Sequence, residues 1–260
     1  MHKVAFEITI HWYGILVVVG CLAGLWTATR RGLSAGVHGE IVADLGMWLI
    51  LGAMFGARFL YVVSYWQEEF ASKPLWEVVR IRQGGLVFYG GLIGAALSGL
   101  AYVRIKRLPF WKLADVLAPS IALGHFFGRF GCLMTGCCYG RPTHLPWAIS
   151  FPEDHWTAGA LVHPTQIYEA LLNLALYAAL AWWFRRRKFD GQIFAAYLVG
   201  YALLRFVVDF FRGDYPTHYL GGLVTPGQLV SLGVLAAGLI LYRARRHRAP
   251  SGVPVKPRSA

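Results

Sequence analysis

Charged residues are scarce in this sequence: Asp, Glu, Lys and Arg make up 15% of its 260 residues, and only 13 are acidic. A soluble globule needs about a quarter of its residues charged to cover its surface, so the scarcity excludes a soluble fold. No repeat of roughly 20–50 residues is present, which argues against a solenoid or a propeller. We also expect no cleavable leader, because no cationic stretch beyond Lys3 and no small-residue cleavage site precede a soluble domain. We therefore expect the first apolar run to be a retained helix.

Long apolar runs fill most of the chain, whose hydrophobic content is 57% and whose mean hydropathy is +0.48. Barrel strands would be about 10 residues long and alternating, so these continuous runs indicate helices. We predict an all-α integral membrane protein, with a single seven-helix domain over 1–242 and a basic, disordered cytoplasmic tail over 243–260. A window of about 19 residues places the seven spans near 8–27, 43–65, 86–105, 113–136, 166–184, 192–211 and 223–242.

The net charge of +12 first suggests a nucleic-acid binder, but most of the lysines and arginines fall in alternate loops. Cytoplasmic loops carry the excess of Lys and Arg. We therefore predict that the N-terminus faces out and the C-terminus faces in, and that the cations contact anionic lipids rather than nucleic acid. The external loop 66–85 contains PLWEVVRI, which is typical of a short interfacial helix.

Some charged residues lie inside the apolar runs, where an arginine near the centre costs roughly 2.5–3.5 kcal/mol. Arg205 and Asp209 are four residues apart, a spacing that predicts an ion pair on one helix face. Arg129 has no acidic residue one turn away on its own helix. Its counter-charge must come from another helix or from a ligand. Glu169 is either a base for a thiol or the partner of an arginine.

Polar residues gather at the predicted outer ends of the spans, whereas the inner ends show only Lys and Arg anchors. This asymmetry predicts a site open to the outer leaflet. Arg129 and Arg212 are available there for an anion, and a planar guanidinium suits phosphate. A phospholipid is the expected ligand. The other outer-end residues are Tyr13, Phe88, Tyr89, Gly90, Gly91, His163, Gln166, Tyr168 and Glu169.

A resemblance to a known family rests on seven motifs: HWYG near the start, GARFLYV at 56–62, GGLVFYGGLIG at 84–94, GRFG at 128–131, HPTQIYE at 163–169, FFRGD at 210–214 and GQLVS at 227–231. In this order and spacing, over nearly the whole chain, they resemble the prolipoprotein diacylglyceryl transferases of bacterial inner membranes. The resemblance implies transfer of a diacylglyceryl group from phosphatidylglycerol to the lipobox cysteine of a prolipoprotein, with release of glycerol phosphate.

The resemblance and the outer-end positions together give a candidate site. The resemblance implies that Arg129 binds the lipid phosphate and that Arg212 clamps or helps to expel the phosphoryl leaving group. The candidate catalytic residues are Tyr89 (a phenol donor or a base), Arg212, Tyr13 and Glu169. The candidate phospholipid-binding residues are Arg129, Gly90, Gly91, Gly128, Gly131, Gly140, Arg58 and Gln166.

The chain departs from the family pattern at four polar positions, although its glycines and both arginines match. The family consensus GRxGNxxNGExxG has asparagines where this chain has Cys132 and Thr135, and a glutamate where it has Cys137. Tyr89 stands where the family usually has histidine. The scaffold and the anion site therefore follow the family, whereas the acid–base chemistry and the acceptor have to be established for this chain.

Cys132, Cys137 and Cys138 form a candidate thiol cluster with several interpretations open. A disulfide from Cys132 to one of the pair suits an oxidising outer surface. A zinc site with His125, His144, His155 or His163 is a second interpretation. A thiol that carries a lipid or exchanges disulfides is a third interpretation, and simple packing is the fourth. We expect no metal and no cofactor.

These observations predict a multi-pass transferase of the bacterial cytoplasmic (inner) membrane with its active site toward the outer face. Its expected partners are phosphatidylglycerol, the prolipoprotein signal peptide and membrane lipids. One alternative is a divergent paralogue that binds phospholipid but modifies another acceptor or uses its cysteines. Another is a non-catalytic lipid-binding or transport protein, although we find no repeat symmetry or broken helices typical of transporters.

Overall fold

A computed structural model of the chain describes residues 12–71, 73–80, 84–215, 219 and 224–248. Within those residues seven helices are long and apolar enough to cross a membrane, which confirms the predicted all-α membrane fold. The orientation of the termini stays a prediction. The helices are α1 (Trp12–Ser34), α2 (Gly39–Ser64), α3 (Phe88–Ile105), α4 (Phe110–Thr135), α5 (Thr165–Phe184), α6 (Gln192–Asp209) and α7 (Pro226–Arg248).

Two helices continue past the boundaries that hydropathy predicts. Helix α1 ends at Ser34 rather than near 27, and α7 ends at Arg248, inside the segment predicted as a disordered tail. The last turns carry basic residues, Arg31 in α1 and Arg245, Arg246, His247 and Arg248 in α7. Cations stabilise the negative end of the helix dipole. A helix can therefore continue after its apolar run has ended, and the rest of the tail lies outside the described residues.

The loops contain short elements of their own. A single π-helical turn (Trp66–Phe70) and a 3₁₀ turn (Leu75–Val79) follow α2. The second lies within PLWEVVRI and confirms a short helical segment there, while its interfacial position stays a prediction. The loop between α4 and α5 contains an antiparallel pair that the sequence did not indicate, β1 (Ile149–Ser150) and β2 (Leu161–Val162), with Ile149 opposite Val162.

The chain divides into two compact units, Thr29–Leu113 and the combination of Met1–Ala28 with Ala114–Ala260. We call the first the α2–α3 unit and the second the α4–α7 unit. The predicted single domain over 1–242 stays a prediction. In the α2–α3 unit the helices meet at glycines, since a Cβ on Gly56 would meet the backbone of Gly90 and Gly94. Small residues allow this close approach of helix backbones.

Polar bonds connect the helices of the α4–α7 unit. Asp115 is fully buried, and its carboxylate accepts hydrogen bonds from the backbone N–H groups of Gly191 and Phe194, both at 2.9 Å. It thereby satisfies donors at the start of α6 that have no partner within the helix. Ser120 on α4 donates to the carbonyl of Gly24 on α1 at 2.6 Å. The opposite end of the same helices carries the candidate site.

Candidate functional site

An alternating chain of charges joins α4, α5 and α6. Arg129 Nη2 lies 2.9 Å from Glu169 Oε1, and Arg205 Nη1 lies 2.9 Å from Glu169 Oε2. Arg205 Nη2 then lies 3.1 Å from Asp209 Oδ1, which confirms the pair predicted from their spacing. The counter-charge of Arg129 thus comes from another helix. We left two interpretations of Glu169 open, a base for a thiol and the partner of an arginine. In the structure Glu169 pairs with two arginines, Arg129 and Arg205.

The far end of this chain of charges holds the segment after α6. Tyr215 donates to both Asp209 oxygens, at 3.2 and 3.3 Å, and accepts from Arg205 Nη2 at 2.7 Å. Thr225 Oγ1, just before α7, donates to Asp209 Oδ2 at 3.1 Å. Sequence reasoning missed Tyr215 and Thr225, because neither belongs to a motif or interrupts an apolar run. Only the return of the chain after α6 brings them to Asp209.

Arg212, directly after α6, has a carboxylate of its own. Its Nε and Nη2 contact the two oxygens of Asp214 at 2.8 and 2.5 Å, a bidentate pair. The guanidinium also lies over the Tyr215 ring at 4.7 Å. We predicted that Arg129 and Arg212 are available for an anion. In the chain alone each is paired with a carboxylate, and anion binding by the two arginines stays a prediction. A buried charge without a partner is strongly destabilising, which explains why both are paired.

The charges of Arg129 and Arg212 both act on the thiol of Cys138. Arg129 Nη1 lies 3.4 Å from Cys138 Sγ. The pKa of the Cys138 thiol is lowered, first by hydrogen bonds from the thiols of Cys132 and Cys137 and then by the charges of Arg129 and Arg212. Nearby cationic groups shift a thiol pKa in the same direction as these hydrogen bonds. The end of α4 and the segment after α6 therefore form one electropositive region around a sulfur atom.

Backbone contacts hold Cys138 and Arg212 in place. Gly140 N–H donates to the carbonyl of His163 at 3.1 Å, and Gly213 N–H donates to the carbonyl of Tyr139 at 3.1 Å. The segment around Gly140 thus lies between the start of α5 and the end of α6. A Cβ on Gly140 would collide with the His163 carbonyl, so the position requires glycine.

The first residues of α5 fix the turn that carries the thiols. Thr165 Oγ1 donates to the carbonyl of Cys138 at 2.6 Å, and Gln166 Nε2 donates to the carbonyl of Cys137 at 2.8 Å. Gln166 is 1% exposed, and among the described residues its Oε1 has no hydrogen-bond partner. A buried acceptor of this kind favours a donor from a ligand or from water.

Tyr13 on α1 packs on α4 near Arg129, beside one of two glycines that flank this arginine in the sequence. A Cβ on Gly131 would approach Tyr13 Cδ2 to 2.7 Å, so the ring of Tyr13 packs directly on this glycine. A Cβ on Gly128 would meet no atom of the described residues within 4 Å. Gly131 therefore admits an aromatic ring, whereas Gly128 borders open space beside Arg129.

The remaining predicted site residues belong to the α2–α3 unit. Arg58 donates to backbone carbonyls of Glu77, Val78, Gly84 and Gly85 at 2.8–3.2 Å. This geometry favours a role in holding the loop after α2, and the predicted phospholipid contact stays a prediction. Tyr89 is 66% exposed. Gly90 meets the Gly56 carbonyl and Gly91 lies against Ala53 and Ala57, which gives both glycines a helix-packing role.

The three cysteines of the thiol cluster are free, and their sulfur atoms lie within 4.8 Å of one another. The structure therefore contains no disulfide between Cys132 and either Cys137 or Cys138. Two of the histidines considered as zinc partners have other contacts: His155 Nε2 pairs with the Gly136 carbonyl at 3.0 Å, and His163 Nδ1 with Tyr168 OH at 3.3 Å. Among the described residues the cluster consists of cysteines alone.

A family model for prolipoprotein diacylglyceryl transferase matches residues 3–244 of this chain. The chain belongs to the prolipoprotein diacylglyceryl transferase family. Curated relatives support the assignment, and each is named a phosphatidylglycerol–prolipoprotein diacylglyceryl transferase. The protein from Finegoldia magna is 38% identical over 93% of this chain and 94% of its own length. The protein from Geobacillus kaustophilus is 38% identical over 92% of this chain and 89% of its own length. The protein from Nostoc is 35% identical over 95% of this chain and 90% of its own length.

Membership confirms the family that the seven motifs indicated and makes this chain a multi-pass membrane transferase. The match extends across both compact units, so the α2–α3 unit with Tyr89 belongs to the family fold as fully as the α4–α7 unit does. The roles of individual residues stay predictions. Those that the α4–α7 unit brings together are Tyr13, Gly128, Arg129, Gly131, Cys132, Cys137, Cys138, Gly140, Gln166, Glu169 and Arg212.

Proposed function

We propose that this chain transfers the diacylglyceryl group of phosphatidylglycerol to the lipobox cysteine of a prolipoprotein at the outer face of the bacterial cytoplasmic membrane, with release of glycerol phosphate. Membership of the family supports the reaction itself. The observation that supports the location of the chemistry is the thiol of Cys138, just after α4, which Arg129 contacts at 3.4 Å and on which the charge of Arg212 also acts.

The lipid phosphate must compete with carboxylates for these arginines. Asp214 is the weaker competitor, because its side chain is 21% exposed and it lies in the segment after α6. We propose that the phosphate takes the place of Asp214 on Arg212. Glu169 is 2% exposed and is shared with Arg205, so it stays in place and fixes the direction of the Arg129 guanidinium. Such preorganised cations stabilise negative charge as it develops on a leaving phosphate.

Two further groups fit the headgroup and the acceptor. The unpartnered Oε1 of Gln166 is an acceptor suited to a hydroxyl of the glycerol headgroup. Open space beside Gly128 gives the phosphate an approach to Arg129. The acceptor thiol must become a thiolate before it attacks carbon, and the electropositive surroundings of Cys138 favour a thiolate.

The test expresses the chain in cells depleted of their own transferase and follows a reporter prolipoprotein by mass. We expect the mass increment of one diacylglyceryl group with the wild-type chain and none with Arg129→Ala. Arg186→Ala is the matched control, because Arg186 is an arginine stacked on Trp182 at 4.1 Å, away from the charge chain. Its increment should equal that of the wild type.

The alternative functions predict other results. A wild-type chain that gives no increment but still retains phosphatidylglycerol during purification would support the divergent paralogue. A chain that neither modifies the reporter nor retains phospholipid would contradict the transferase proposal outright.

A further inference from the structure

The thiol cluster is a compact set of soft ligands that the proposed transfer reaction does not yet use. Cys132 lies in the last turn of α4, and the chain then bends back through Gly136 and Cys138, whose φ angles are 75° and 61°. A left-handed conformation is unfavourable for a residue with a side chain, such as Cys138. The bonds from Thr165 and Gln166 to the carbonyls of the pair hold this bend. The bend directs the later sulfurs toward that of Cys132.

The spacing of the sulfurs suits a metal ion. Zinc binds thiolate sulfur at about 2.3 Å in a tetrahedron, which requires sulfurs about 3.8 Å apart. All three sulfurs already lie within 4.8 Å of one another, so small side-chain rotations complete the site. Sulfur ligands select zinc and other thiophilic ions over magnesium or calcium.

The charges around the cluster also suit such a complex. Three thiolates with one divalent ion carry a net charge of −1, which is costly at the edge of a membrane. Arg129 Nη1 at 3.4 Å from Cys138 Sγ supplies a compensating cation. Thr135 Oγ1 lies 3.3 Å from Cys137 Sγ and adds a second polar contact to a ligand sulfur.

Three protein ligands leave one position of a tetrahedron open, which is the arrangement of catalytic zinc sites. Cys137 is exposed, and Cys132 and Cys138 are half-buried, so the open position is accessible from outside the helices. A thiol that coordinates zinc is deprotonated. The acceptor of the family reaction is itself a thiol.

We propose that Cys132, Cys137 and Cys138 bind one zinc ion, and that the acceptor cysteine of the prolipoprotein occupies its fourth position as a thiolate. This inference rests on the proposed function. On binding, the acceptor S–H loses its proton to solvent. The sulfur lone pair then forms a bond to the lipid glycerol carbon, and the bond from that carbon to the phosphate oxygen breaks. Glycerol phosphate leaves with that electron pair, and no atom is oxidised or reduced. A zinc-bound acceptor needs no protein base at the moment of attack.

The test begins with metal binding by the full chain in lipid nanodiscs, purified under reducing conditions. After equilibration with Zn²⁺ and removal of the free ion, we expect about one zinc per chain by mass spectrometry of the metal. Cys132→Ser, Cys137→Ser and Cys138→Ser should each weaken binding at least tenfold. Cys21→Ser is the matched control and should bind like the wild type, because Cys21 is a free cysteine on α1, outside the cluster.

Co²⁺ in place of zinc reports the ligands directly, through its thiolate charge-transfer absorption. We expect this band to grow by about a third when a lipobox peptide with a single cysteine is added, as three thiolates become four. The same peptide with serine in that position should leave the band unchanged. Equal spectra with both peptides would overturn the role of the acceptor as fourth ligand.

Failure of the zinc proposal is distinguishable from failure of the proposed function. A metal-free wild-type chain that transfers diacylglyceryl groups at the full rate would overturn the zinc proposal and leave the function standing. A chain that binds one zinc through the three cysteines, yet modifies no prolipoprotein, would keep the metal site and contradict the function. A wild-type chain with three reactive thiols and no affinity for Zn²⁺ or Co²⁺ would overturn the site itself.

Discussion

Within each of the two compact units, a different kind of interaction holds the helices together. In the α2–α3 unit the helices approach through glycines, with Gly56 against Gly90 and Gly94. In the α4–α7 unit the helices are joined by buried ion pairs, from Arg129 through Glu169 and Arg205 to Asp209. Close apolar packing needs small residues and leaves little room for chemistry, whereas a charged network provides groups that a polar ligand can use.

The two units also use an intramembrane arginine differently. Arg58 donates to backbone carbonyls of the following loop, which are fixed acceptors of its own unit. Arg129 contacts a carboxylate from another helix and a thiol, which are groups that can exchange partners or protons. Whether an arginine in an apolar helix indicates a structural or a functional role therefore depends on which groups it contacts.

Removal of Arg129 should have the largest effect on activity. Arg129→Ala should lower the transfer rate by roughly 10²–10³-fold, the size of losing one preorganised charge donor. Arg129→Lys should stay at least tenfold below the wild type, because one ammonium cannot replace a planar fork that reaches both Glu169 and Cys138. The measurement is the initial rate of diacylglyceryl transfer in nanodiscs. A lysine variant with the full rate would reduce Arg129 to a simple counter-charge.

Gly56 should show the largest effect on stability. Gly56→Ala places a Cβ against the backbone of Gly90 and Gly94, which cannot rotate away. We expect the free energy of unfolding to fall by about 1–3 kcal/mol, the range for overpacking a core. Gly233→Ala is the control, since a Cβ there meets no atom within 4 Å in the part of the chain that the structure describes. Unfolding by denaturing detergent gives both values, and equal stabilities would contradict the glycine contact.

Arg58→Ala should affect the loop more than the chemistry. Four carbonyl acceptors lose their donor, and we expect a loss of about 2 kcal/mol in stability, typical of a lost hydrogen bond to a charged group. Hydrogen exchange in residues 77–80, 84 and 85 should become faster, while the transfer rate changes less than it does in Arg129→Ala. If instead the affinity for phosphatidylglycerol fell as far as it does in Arg129→Ala, Arg58 would belong to the phospholipid site.

The smallest expected effect is that of Asp214→Asn. Loss of the bidentate carboxylate frees Arg212 for the lipid phosphate. The KM for phosphatidylglycerol should fall about twofold to tenfold, a change of about 1.4 kcal/mol at most, while kcat stays near the wild-type value. Steady-state kinetics over a range of lipid mole fractions measures both constants. A raised KM would mean that Asp214 orients Arg212 for the lipid rather than competing with it.

Particular residues mark where sequence reasoning reached its limit. The i,i+4 pair of Arg205 and Asp209 was predictable because helix geometry fixes it locally. The partner of Arg129 was not, since Glu169 is 40 residues away and only the packing of α4 on α5 brings the two together. This carboxylate partner was outside the reach of sequence patterns, because a sequence does not display which distant carboxylate a buried guanidinium group pairs with.

The sequence alone determined the class of fold and the family. Seven apolar runs admit only spanning helices in a bilayer, since no other element satisfies its backbone there, and seven ordered motifs indicated the transferases. Tertiary structure alone decided which charges are paired and that three cysteines form one cluster. Hydropathy and spacing are properties of short segments. The partner of a buried charge or thiol depends on how distant segments pack, because desolvation makes pairing obligatory and packing selects the partner.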